Sequence, residues 1–90
     1  MIIMGYVKMI EGILEGKKMG FLDEKRINSL TELMNRLKTK DEVRNVADMT
    51  MFYFSSNQLA CRLNKDVERE MVYSDYLSAL AEVIHSCFSK

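Results

Sequence analysis

His85 is the only histidine in this sequence, and Cys61 and Cys87 are its only thiols. Any serine–histidine or cysteine–histidine pair must therefore use His85. Its nearest candidates are Asp75, ten residues earlier, and Cys87, two residues later. On a helix neither of them shares its face closely. The expectation is a solvated surface histidine on the polar side of a C-terminal helix.

Metal chemistry meets the same obstacle. If the chain turns near residue 65 and runs back antiparallel, Cys61 lies level with about residue 69. Cys87 is then ~18 residues farther along, or roughly 27 Å at helical rise. That separation excludes an intrachain disulfide and a zinc site using both thiols. The plain reading is two buried structural thiols, with Cys87 the one placed for an intermolecular disulfide. Met49 and Met51, two apart, do not share a helix face, so no copper site forms from them. The eight methionines suit adaptable packing or a plastic binding surface. No phosphate loop, dinucleotide-binding glycine pattern or carboxylate pair is present. The expectation is a non-enzymatic protein with no cofactor and no metal.

The elements that must position a surface are easier to read. The chain has no proline, which tilts it toward helices, because small strand-rich domains lean on Pro and Gly turns. From Ile2 to about Met19, Ile2, Ile3, Tyr6, Val7, Met9, Ile10, Ile13 and Leu14 share one broad face. Gly5, Gly12 and Gly16 line its edge, where glycine admits a close neighbour but costs helix stability. Gly16 or Gly20 is the expected stop. Asp23 can cap a second helix, with Leu22 and Ile27 spaced as a hydrophobic staple. Ile27, Leu30, Leu33, Met34 and Leu37 then make a narrow apolar stripe. Thr39-Lys-Asp-Glu42 matches a capping box and predicts a third helix from about 40 to 63. Asn64-Lys-Asp66 is the next turn. A fourth helix to about Phe88 carries Tyr73, Tyr76, Leu77, Leu80, Val83, Ile84, Cys87 and Phe88 on one side. The prediction is an all-α fold, a compact antiparallel bundle of about four helices, with residues 1–90 as a single domain.

Composition limits the partners. Thirteen basic residues balance thirteen acidic ones, so nothing general pulls the chain toward nucleic acid or an anionic membrane. The apolar N-terminus is interrupted by Lys8, Glu11 and Glu15 and falls short of the ~20 residues that span a bilayer. With no signal-peptide pattern and only two cysteines, the expected location is the cytoplasm.

Helix 3 holds the unusual feature. Met51-Phe52-Tyr53-Phe54 are four consecutive large apolar residues that point in four directions on a helix. Two stripes result. One, Val43, Val46, Ala47, Thr50, Phe54 and Cys61, is the natural core face. The other, Met49, Phe52, Ser56, Leu59 and Leu63, advances by three and four residues, the seam spacing of helix packing, and lies roughly opposite. Asn57 sits at the edge of the core stripe. A helix apolar on both sides is either the central, wrapped helix of an irregular bundle or one that presents an interface.

The stretch Phe52-Tyr-Phe-Ser-Ser-Asn-Gln-Leu-Ala-Cys-Arg-Leu63 resembles, over about a dozen residues, one helix of the haemolysin-expression-modulating proteins and the third helix of small bacteriocin immunity proteins. The former pattern has Asp where this chain has Asn57, and its C-terminal Pro and Trp region is absent here, so no residue role carries over. What the resemblance implies is general: small helical proteins of this size act by binding another protein. The functional expectation is a protein-binding module, a regulator or inhibitor of a partner protein, forming a homodimer through Met49, Phe52, Ser56, Leu59 and Leu63. The alternative is a small DNA-associated transcriptional regulator using Lys38, Lys40, Arg44 and Arg62.

Overall fold

The computed structural model describes residues 3–15 and 23–88. Helix accounts for 89% of them and no strand occurs among them. The four helices are α1 (Ile3–Leu14), α2 (Glu24–Asn35), α3 (Lys40–Leu63) and α4 (Val67–Phe88). The all-α bundle expected from sequence is what forms. The predicted staple of Leu22 and the stops at Gly16 or Gly20 lie outside the described residues.

Local chemistry sets the boundaries. Asp23 accepts from the Arg26 amide at 2.9 Å and caps α2, and its carboxylate also pairs with the Arg26 guanidinium. Thr39 accepts from the Glu42 amide at 3.1 Å and caps α3. The Glu42 carboxylate reaches back one residue farther than a capping box requires, to the Lys38 amide at 3.3 Å. The contacts to the Arg26 and Glu42 amides satisfy donors that the first helical turn would leave orphaned.

The link from α3 to α4 is a tight turn. The Asp66 amide donates to the Cys61 carbonyl at 2.8 Å and the Lys65 amide to the Arg62 carbonyl at 3.1 Å. This pair of bonds is a Schellman closure. Lys65 takes the left-handed conformation that the closure demands, with φ 59°. Asp66 then accepts from the Arg69 amide and starts α4.

The resulting hairpin is antiparallel. Gln58 meets Ser74, Arg62 meets Glu70, and at the far end the Arg44 guanidinium lies 5.4 Å from the Phe88 ring centroid. α1 packs on α3 and α2 packs on α4, while α1 and α2 also touch each other. The order around the bundle is therefore α1, α2, α4, α3. Chain order would place α2 beside α3, yet these two are among the least connected pairs of the described residues. The narrow stripe of α2 is covered by the wide apolar face of α4.

The core holds Val7, Ile10 and Leu14 from α1, Leu30, Leu33 and Met34 from α2, Val46 and Phe54 from α3, and Leu80 and Val83 from α4. Phe54 sits 5.4 Å from Tyr76 and 6.0 Å from Tyr73, ring centre to ring centre, in tilted arrangements that suit aromatic quadrupoles. Thr50 is fully buried because its hydroxyl donates to the Val46 carbonyl at 2.7 Å, one turn back. Toward the turn the core runs out. Phe54 is the last buried residue of α3 and Tyr73 the first of α4. None of residues 55–72 is buried.

Candidate interaction surface

Winding α3 at 100° per residue turns Val43, Ala47, Thr50 and Phe54 toward the core. The opposite direction holds Met49, Phe52, Ser56, Leu59 and Leu63. The exposed fractions are 39% for Met49, 69% for Phe52, 53% for Leu59 and 75% for Leu63. Ser56 is exposed with them. The expectation of a central helix wrapped on all sides therefore does not hold on this side. α1 and α4 flank α3, and neither crosses its outer face.

The patch is wider than the α3 stripe alone. Val67 and Met71, one turn apart on α4, are 63% and 52% exposed. Ser74 and Glu70 reach from α4 to Gln58 and Arg62 on α3, so they mark the side of α4 turned to its neighbour. Val67 and Met71 lie beyond that seam, away from the Tyr73 and Tyr76 rings. Near the hairpin tip the outer side thus combines Leu59 and Leu63 from one helix with Val67 and Met71 from the other, and Phe52 continues the row farther back along α3. The sequence reading missed the two α4 residues. The signal was available: both fall off the face set by Tyr73, Tyr76, Leu80 and Val83.

Two polar contacts edge this surface. At the seam, Arg62 Nε and Glu70 Oε2 are 3.0 Å apart. This pair is too exposed to contribute much stability. At the other edge of α3, Lys8 Nζ donates to the Tyr53 hydroxyl at 2.9 Å and ties α1 to the flank. That bond, with the nearby Glu11 carboxylate, raises the Lys8 ammonium above its ordinary value.

The residues singled out for chemistry do not converge. His85 is exposed on α4. Cys61 lines a shallow hollow near the turn with Asn57, Asp66, Arg69 and Tyr73. Cys87 lines another at the opposite end with Leu37, Val43 and Phe88. Both thiols are half-buried rather than buried, because each sits where the bundle thins at one end of the hairpin. No group of three His, Cys, Asp or Glu side chains able to hold a metal occurs among the described residues. Among them, no helix is long and apolar enough to cross a membrane.

The four basic residues considered for DNA are also divided. Lys38 and Lys40 border the hollow at the α2–α3 junction, and Arg44 lies over Phe88. Arg62 is eighteen residues beyond Arg44 on the same helix, roughly 27 Å away at helical rise, and is held by Glu70.

No protein-family model matches the sequence, and no curated protein and no solved structure matches the chain.

Proposed function

We propose that this chain is a non-enzymatic protein-binding module, a regulator or inhibitor of a partner protein, that self-associates through the outer face of α3. One observation carries the reading. Met49, Phe52, Leu59 and Leu63, with Ser56 between the two pairs, form an exposed row at helix-packing spacing, on a helix whose other side already fills the core. Single exposed apolar residues are ordinary on protein surfaces, but a row of four with two more beside it is a docking surface. Self-association takes precedence because closed symmetric dimers are the commonest oligomers. Two unpaired cysteines at opposite ends of the hairpin suit a reducing compartment, the cytoplasm. The nucleic-acid alternative has less support, since its basic residues fall in two separated places on a chain with balanced charge.

The test is the double variant Phe52→Glu, Leu59→Glu. The wild-type chain is expected to sediment as a dimer at micromolar concentration. The variant is expected to keep its far-ultraviolet helical signal and its melting transition and to sediment as a monomer. A variant that unfolds would make the row part of the core and end the reading, as would one that still dimerises.

A further inference from the structure

We infer that the occupant of the outer hairpin face is a second copy of this chain laid antiparallel across it, with the two-fold axis passing near Ser56. This rests on the protein-binding reading above and specifies its geometry. The first argument is the distribution of bulk along the row. Ser55 and Ser56, both exposed, lie at its middle, with Met49 and Phe52 on one side and Leu59 and Leu63 on the other. Small residues at the crossing point let two backbones come close. An antiparallel overlay about Ser56 then sets Phe52 of each copy against the Leu59–Leu63 end of the other, twice over. This is the self-complementarity that a two-fold interface requires.

Charge selects the same direction. Asp41 and Asp48 are exposed and share the outward sector of Phe52 and Leu59, toward the start of α3. Arg62 and Lys65 are exposed at its end, while Arg44, exposed near the start in the direction of Arg62, lies over the Phe88 ring. Antiparallel copies place the Asp48 carboxylate near the Arg62 end of the other copy at two equivalent positions. Arg62 already serves Glu70, but a guanidinium has five N–H donors and can serve a second carboxylate. Parallel copies would set Asp48 against Asp48 and Asp41 against Asp41, which electrostatic complementarity disfavours.

The apolar content of the face suits a partner of the same kind. Met49, Phe52, Leu59, Leu63, Val67 and Met71 are each exposed by 39% or more, a concentration of large apolar side chains beyond the scattered ones of an ordinary surface. The second copy would also cover the part of the hairpin that its own α1 and α2 leave bare, because residues 55–72 include none that is buried.

Crosslinking tests the arrangement. In a Cys61→Ser, Cys87→Ser background, exposed positions on the face are replaced singly by cysteine and treated with a short bismaleimide. Ser56→Cys alone is expected to give a covalent dimer in high yield. Asp48→Cys alone and Arg62→Cys alone are expected to stay monomeric on a denaturing gel, and their mixture to crosslink. If Asp48→Cys crosslinks with itself as readily as in the mixture, the copies are parallel and the inference falls while the docking surface stands. If no position crosslinks although sedimentation shows a dimer, the dimer uses another face and the inference falls. A wild-type chain that sediments as a monomer at all concentrations removes self-association and this inference together. The Phe52→Glu, Leu59→Glu variant separates the two proposals, because it reports on the face without reference to direction.

Discussion

Phe52 and Phe54 stand two residues apart on α3, and the first ring is 69% exposed while the second has no exposed surface at all. Two residues turn a helix by about 200°, so the two rings point in nearly opposite directions. Phe54 is enclosed by Tyr53, Tyr73 and Tyr76. Its truncation to alanine opens a cavity in the centre of the core and is expected to cost about 3–5 kcal/mol in urea denaturation. Phe52→Ala, measured in dilute protein where association is absent, is expected to stay within about 0.5 kcal/mol of wild type. Equal losses for the two variants would contradict the division of α3 into a core side and an outer side.

The division itself was legible in the sequence, because 3.6-residue periodicity separates the two rows without any knowledge of neighbours. Val43, Val46, Ala47, Thr50 and Phe54 are buried as that periodicity requires. Cys61 shares their direction yet is only half-buried, since direction says nothing of how far along a helix the neighbours extend. The caps at Asp23 and Thr39 were readable because they depend on residues three apart. The bundle order was not. Whether α2 covers α3 or α4 depends on which apolar faces compete for it, and chain order gave the wrong preference. Val67 and Met71 escaped for a related reason: they join Leu59 and Leu63 only after the turn brings the two helices together.

Gly12 lies in the last turn of α1, and a Cβ placed there meets nothing within 4 Å. It therefore serves no close helix approach, contrary to what its place at the edge of the apolar face suggested. Glycine at a helical position loses more backbone entropy on folding than alanine does. Gly12→Ala is expected to stabilise the chain by about 0.5–1 kcal/mol. A rise in the urea midpoint at unchanged slope would show it, and a fall would mean that the site has a neighbour.

Lys65 carries the only positive φ among the described non-glycine residues, at 59°. An L side chain in this conformation brings its Cβ toward the following carbonyl, and the position after a helix end is where glycine is favoured. Lys65→Gly is expected to raise stability by roughly 0.5–1 kcal/mol, part of the relief being offset by the greater freedom of glycine in the unfolded chain. Lys65→Val, whose β-branch tolerates this conformation poorly, is expected to shift thermal denaturation in the other direction.

Tyr76 links stability to alkaline pH. Burial holds its phenol above the ordinary value of 10.0, and the carboxylates of Glu15 and Glu11 add to the effect. A proton held more tightly in the folded than in the unfolded chain makes folding less favourable as pH rises past the point where the unfolded group begins to lose it. The contribution is fully present below pH ~10, where the unfolded phenol stays protonated. It disappears as pH rises through the higher folded value, because the unfolded chain gains charge that the buried ring resists. Lys8 acts with the same sign, since its bond to Tyr53 raises it above 10.5. Stability is therefore expected to fall above pH ~10. Tyr76→Phe removes the buried phenol, so its urea midpoint should decline less steeply there than that of wild type. Parallel declines in the two proteins would place the alkaline sensitivity elsewhere in the chain.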